Sequence, residues 1–176
     1  MLIVGPKSTS TGTNDNSVGT ALWANAGQTV LSDNLYANRV ATGDPETTQY
    51  LKLTNFGITF QEIPAHAYIR GIEVQVERKK QSGTGNVTDN SVKLVRGGVV
   101  LGDEKAKAGN WPTSDTSVTY GGMDDTWGVR LDGRAVVDSG FGVAISTTSS
   151  GGTASYGVDY VGITVFFEIC DSSATI

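Results

Sequence analysis

The sequence predicts an all-β domain of antiparallel strands, and three observations lead there: apolar residues recur with period two, turn-forming residues punctuate the chain, and helical periodicity is scarce. Over 71–78, Ile72, Val74 and Val76 fall on one side while Glu73, Gln75 and Glu77 fall on the other, the pattern of a strand with one dry and one wet face. The 161–169 run repeats it, with Val161, Ile163, Val165, Phe167 and Ile169 opposite Gly162, Thr164, Phe166 and Glu168. Further strands are predicted over 35–41, 50–56, 91–96, 99–102, 117–120 and 141–147, and Gly97-Gly98 between two of them suits a two-residue hairpin turn. About eight short strands at this spacing build a sandwich or a barrel. The one helical signal is a single turn around 131–137, too short to stand alone.

Composition sets the outer bounds. A chain of 176 residues can bury one real core, so one domain is expected. Charged residues make up 18%, below the average of about 25%, and 23 glycines favour many tight turns. Net charge is −5, and the 13 Lys and Arg are scattered apart from Arg78-Lys79-Lys80. No broad basic footprint for nucleic acid is visible along the chain. There is neither a secretory-type leader nor a membrane-length apolar run, so synthesis in the cytoplasm as a soluble product is expected. The lone Cys170 excludes an internal disulfide and multi-cysteine metal sites, and its neighbours Phe166, Phe167 and Ile169 predict a buried thiol at a strand end.

Three segments are divided by their side chains. Residues 5–20 are Ser, Thr, Asn and Gly with almost no large apolar group, so 1–20 reads as an extended or flexible arm. Residues 21–170 form the folded domain and 171–176 a short tail. Two long polar, glycine-rich loops are expected at 81–90 and 147–155, where surface tips would carry function.

Chemical signatures are weak. His66 is the sole histidine and lies in a turn context, with no nucleophile elbow anywhere to partner it. Asp124-Asp125 and Asp103-Glu104 could form an acid pair, but carboxylates beside glycines usually make turns. Asp124, Asp125 and Asp132 are the acids to test for calcium, without the regular spacing that would make the site specific. Trp23, Trp111 and Trp127, with Tyr36, Tyr50 and Tyr120, either stack sugar rings or cap the ends of the sandwich. No phosphate loop or dinucleotide fingerprint occurs. Neither catalysis nor a cofactor is therefore expected.

A resemblance rests on the order of several segments: 23–27 (Trp-Ala-Asn-Ala-Gly), 32–37, 50–57 (Tyr-Leu-Lys-Leu-Thr-Asn-Phe-Gly), 63–65, 69–79, 90–95, 111–113 (Trp-Pro-Thr), 120–122, Trp127-Gly128, 141–145 and 158–165. Together they resemble a jelly-roll module of tailed-phage structural proteins, including head decoration (cement) proteins and domains of head or tail fibres. The resemblance implies an antiparallel jelly-roll sandwich and a decoration protein on the outer surface of the capsid, made in the host cytoplasm. It also implies the major capsid protein as partner and a homo-oligomer, a trimer by preference, with no role for nucleic acid or membrane. The alternative it leaves is a receptor-binding or carbohydrate-binding module of a fibre. Candidate partner contacts are Leu2, Ile3, Val4, Pro6 and Lys7 in the arm, and Ser82, Gly83, Thr84, Gly85, Asn86, Ser149, Ser150 and Gly151 at the loop tips. Trp23 and Trp111 are the candidates for glycan stacking.

Overall fold

The computed structural model describes residues 1–169; Cys170 and the 171–176 tail, with the buried thiol expected there, lie outside the described residues. In chain order the elements are β1 (Leu2–Ser8), β2 (Thr11–Asp15), β3 (Ala37–Ala41), β4 (Glu46–Thr47), β5 (Tyr50–Thr54), β6 (Tyr68–Ser82), β7 (Asn86–Arg96), β8 (Val99–Leu101), β9 (Thr116–Gly121), α1 (Gly133–Val137), β10 (Gly142–Ser150) and β11 (Ala154–Glu168). One sheet runs β1-β11-β6-β9, with β3 sharing the β11 edge that β1 occupies. The other runs β2-β5-β10-β7-β8, with β4 beside β5 along β10. All strand pairs are antiparallel. From β5 to β7, and again from β10 to β11, the chain steps between sheets, which gives the jelly-roll sandwich and removes the barrel.

Period two accounts for the packing. Ile72, Val74 and Val76 of β6 and Val161, Ile163, Val165 and Phe167 of β11 all point inward and are buried. Leu51 and Leu53 of β5, Val92 and Leu94 of β7, and Val143 and Ile145 of β10 meet them from the second sheet. Burial of each such side chain contributes about 1.5–3 kcal/mol. Ile169, placed on this face from its spacing, lies past the end of β11 and is 41% exposed. Gly97 and Gly98 adopt φ of 57° and 80° between β7 and β8, the left-handed pair that a tight hairpin requires.

The arm is extended, as one of the two expected forms, but it is part of both sheets rather than separate from the domain. β1 pairs with β11 and β2 pairs with β5, so the first fifteen residues close one edge of each sheet. Lys52 Nζ meets the Asp15 carboxylate at 2.7 Å, and Lys7 pairs with Glu62. Val18 then packs on a small outer cluster of Tyr50, Val95 and Ala144. Polar side chains misled here because an edge strand is held by its backbone ladder and needs few apolar groups.

The two long loops are corrections as well. β6 runs to Ser82 and β7 starts at Asn86, while β10 runs to Ser150 and β11 starts at Ala154, so each predicted loop is a three-residue turn. β6 with β11, and β7 with β10, stay paired past the apolar core, where the ladder continues without alternation to mark it.

One inward position of β6 is charged. Arg78 follows Ile72, Val74 and Val76 at the same spacing, and its side chain is buried against the wholly buried Asp89 of β7 in the opposite sheet. Asp89 also accepts hydrogen bonds from Tyr120 Oη (2.7 Å), Trp111 Nε1 (2.8 Å) and the Lys107 amide (3.0 Å). Trp111 lies 4.8 Å from the guanidinium, which stacks on its ring. Burial pushes the Tyr120 hydroxyl well above its usual pKa, so it remains a donor.

Two stability predictions arise here. Asp89→Ala strands a buried cation and three further donors, and should cost about 3–5 kcal/mol in urea unfolding, whereas Arg78→Met with Asp89→Leu should recover only the part due to the unpaired cation, because the Tyr120, Trp111 and Lys107 donors still lack their acceptor. Asp15 has its carboxyl lowered to about 2 from 3.8, chiefly by the hydrogen bond from Lys52. Its contribution is complete above pH 4 and is lost as pH falls toward 2; acid titration of Asp15→Asn should lack that component.

Candidate functional site

The sandwich has two ends, and each gathers a different set of side chains. At the first end lie the start of β6, the end of β7 and the end of β11. Tyr68 is paired with Glu168, and Leu2 with Phe167, so the exposed Met1, Leu2, Tyr68 and Ile169 share this end. Beside them a depression of about 350 Å³ is lined by His66, Tyr68, Arg96, Arg130 and Asp132. A neighbouring one of about 320 Å³ adds Arg134 and Asp138 and shares Arg96 and Asp132.

These arginines are distinctive for what they do not touch. Arg39, Arg70 and Arg78 each pair with a carboxylate, at Glu46, Asp124 and Asp89. Arg96, Arg130 and Arg134 make no ion pair or side-chain hydrogen bond among the described residues, and all three are exposed. Half of the six arginines therefore stand free around two adjoining depressions. Asp132 offers little compensation, since its Oδ1 accepts from the Ala135 amide at 2.9 Å as the cap of α1. A chain that scatters its cations in sequence thus concentrates free ones at one end in space. Guanidinium groups suit carboxylate or phosphate partners, so this end can receive an acidic surface.

The arm residues named from the sequence divide between roles. Leu2, Ile3 and Pro6 are exposed on β1, whose outer edge has no strand beside it among the described residues. Val4 lies opposite Val165 and packs on the core, and Lys7 is held by Glu62. Pro6 sits at the bulge between Val4 and Lys7, where a missing N–H costs an edge strand nothing.

At the second end the two turns that carry the chain between sheets, β6 to β7 and β10 to β11, come together. Gly85 N donates to Thr153 O at 2.9 Å, and a Cβ at Gly83 would meet Thr153 O, so Ser82–Asn86 and Ser149–Gly151 form one surface. Next to it a depression of about 310 Å³ is lined by Asn25, Gln28, Asn34, Tyr36, Asn38 and Gln81, with Leu35 at its rim. Tyr36 Oη donates to Asp115 at 2.7 Å, and Lys79 Nζ reaches the other oxygen of that carboxylate at 2.7 Å. Burial works against the Asp115 carboxylate, but these two donors more than offset it and hold its pKa below the usual value. Below them the buried Asp159 accepts from the Asn34 amide at 3.1 Å, while burial raises its pKa. Glu77, Asp115 and Asp159 place carboxylate oxygens within 4.8 Å of one another, a grouping that sequence spacing did not suggest.

The other sequence candidates are structural. Trp23 and Trp111, each 3% exposed, flank Tyr156 edge-on with ring centroids at 5.7 Å, so neither can stack a sugar. Their indoles donate inward, to Gln49 O and to Asp89. Trp127 is wholly buried with its Nε1 on Ile72 O, Tyr50 is buried against Ser91, and Tyr120 belongs to the Asp89 network. The proposed calcium acids are occupied separately: Asp124 with Arg70, Asp125 with Lys105 and the Trp127 amide, Asp132 as a helix cap. Glu104 binds the Ser91 hydroxyl and two backbone amides, which makes it a loop anchor apart from Asp103. His66 is exposed beside Arg96 and Arg130, with neither a carboxylate nor a hydroxyl hydrogen-bonded to it among the described residues.

Comparison of the chain with protein-family models, with curated proteins and with solved structures returns no match. The reading of function therefore rests on these surfaces.

Trp23→Ala or Trp111→Ala should behave as core truncations, each lowering unfolding free energy by about 3–5 kcal/mol. Chemical denaturation followed by tryptophan fluorescence reads this directly, and a mutant of unchanged stability would contradict the burial.

Proposed function

We propose that the protein is a virion structural protein, a decoration protein that binds the assembled capsid of a tailed phage and acts by adhesion. The observation that supports this best is the first end of the sandwich. Exposed apolar residues (Met1, Leu2, Tyr68, Ile169) adjoin three free arginines there, on a rigid two-sheet scaffold. An apolar patch rimmed by cations fits a protein partner that offers apolar side chains and carboxylates. The jelly-roll topology and the resemblance of the segment order to phage head proteins supply the setting; the partner they imply is the major capsid protein. Each contact is weak, but a homo-oligomer, a trimer by preference, multiplies it through effective concentration. Binding to the assembled shell, and not to its separated subunits, stabilises the shell by mass action.

In this reading β1 contributes its open edge, through Leu2 and Ile3, and Arg96 and Arg130 steer the approach. Cations at the rim of an interface act mainly on association rate and salt dependence. Purified heads incubated with the protein should retain it at high copy number and release it as salt is raised. Arg96→Glu with Arg130→Glu should reduce retention at least tenfold with an unchanged thermal midpoint, and Leu2→Asp with Ile3→Asp should do the same. Equal retention of all three proteins, or no retention of the parent, would sink the proposal.

A further inference from the structure

The geometry points to a second binding site, at the opposite end of the sandwich, for a neutral saccharide. The site is the depression of about 310 Å³ beside the two adjoining inter-sheet turns, a volume at the lower end for small-ligand pockets. This goes beyond adhesion to a capsid and does not depend on it.

The chemistry of the lining selects the ligand. Five of the side chains are carboxamides, Asn25, Gln28, Asn34, Asn38 and Gln81, and the remaining two are Tyr36 and Leu35. None is ionisable near neutral pH. Beyond the lining, Lys79 and Asp115 are paired at 2.7 Å, and the Asp33 and Asp159 carboxylates are held by the Leu35 and Asn34 backbone amides. A phosphate or carboxylate ligand would find no free cation in the lining, and a cationic ligand would find no free acid there. Carboxamides each offer both a donor and an acceptor, matching hydroxyl groups that do the same.

Those groups are positioned and only partly used. Asn25 Nδ2 donates to Asn38 Oδ1 at 3.2 Å, Tyr36 Oη lies 3.1 Å from Asn34 Oδ1, and Gln81 Oε1 accepts from Ser155 Oγ at 3.0 Å. The side-chain nitrogens of Asn34, Asn38 and Gln81, and the whole Gln28 side-chain carboxamide, have no hydrogen-bond partner among the described residues. Asn25 and Asn34 hold φ of 53° and 65°, which turns the chain tightly at both sides of the depression. The Asn34 turn is fixed from below by its backbone bond to the buried Asp159. Tyr36 adds an aromatic ring, with Lys79 Nζ 5.0 Å from its centroid, and Leu35 an apolar edge 54% exposed. Sugars present both hydroxyls and an apolar face, and this lining answers both.

A peptide is the natural competitor for amide groups, and the backbone argues against it. The strand edge of β3 is already consumed: Ala24 and Asn38 exchange two hydrogen bonds at 2.8 and 2.9 Å, and Ala37 N donates to Gln28 O at 3.2 Å. An added strand would find no free ladder there. What remains open is side-chain amide.

The test uses the whole protein and a panel of neutral oligosaccharides containing glucose, galactose, mannose or N-acetylglucosamine, with sialylated and sulfated glycans and an unstructured peptide as comparison. Ligand-observed saturation-transfer NMR should detect at least one neutral glycan. Gln28→Ala and Gln81→Ala, both exposed and outside the core, should each weaken it about tenfold while the thermal midpoint stays unchanged. Arg96→Glu with Arg130→Glu should leave it intact, which separates this site from the adhesive end. Absence of binding across the neutral panel at millimolar concentration would overturn the inference. So would preference for the acidic glycans or the peptide, or binding indifferent to both amide substitutions.

Discussion

The buried pair Arg78–Asp89 is the constraint around which the rest of the sandwich is arranged. Two charges removed from water between facing sheets are tolerable only when their hydrogen-bonding capacity is met locally. Asp89 meets it by drawing in Tyr120 from β9, Trp111 and the Lys107 amide from the segment ahead of it, and Arg78 from β6. Three stretches of chain are thereby tied to one carboxylate on β7. Trp111, once fixed there, becomes a wall for Tyr156, and Trp23 closes the other side of that ring. Trp111, which sequence alone offers for stacking, is thus held inside by a buried charge.

That constraint also explains which parts of the molecule could be read in advance. Alternation marks the two long central strands, because there one face must be dry: β6 through Ile72–Val76 and β11 through Val161–Phe167. Strands held by backbone pairing alone, β1, β2 and β4, carry no such mark, and neither do the outer ends of β6, β7 and β10. Arg78 continues the spacing of Ile72, Val74 and Val76, so its burial was legible as an arginine at a core position. Burial of Trp23 and Trp111 was not legible, since residue type does not say which way a ring points.

Sites were less readable than fold for a related reason. Arg96, Arg130 and Arg134 are far apart along the chain except for the last two, and only the topology brings the end of β7 beside α1. Whether an arginine is free or paired is a property of its neighbours in space. The carboxamide lining is assembled the same way, from the segment before β3, β3 itself and the end of β6. Asparagine and glutamine scattered in polar segments look like turn chemistry until the turns are seen to face one another. The two ends thus differ in chemistry, with ions and apolar groups at one, neutral carboxamides at the other and the core between them.

The path of the first fifteen residues has its own consequence. Because β1 and β2 are consecutive yet belong to different sheets, one short stretch serves as a clasp across the sandwich. Proteolytic clipping between them and the body of the domain would uncover β5 along its whole length and β11 along half of its own, in a single event. Both would then be naked templates for misassembly. The backbone ladders hold the clasp shut, and the salt links of Lys7 to Glu62 and Lys52 to Asp15 add to them.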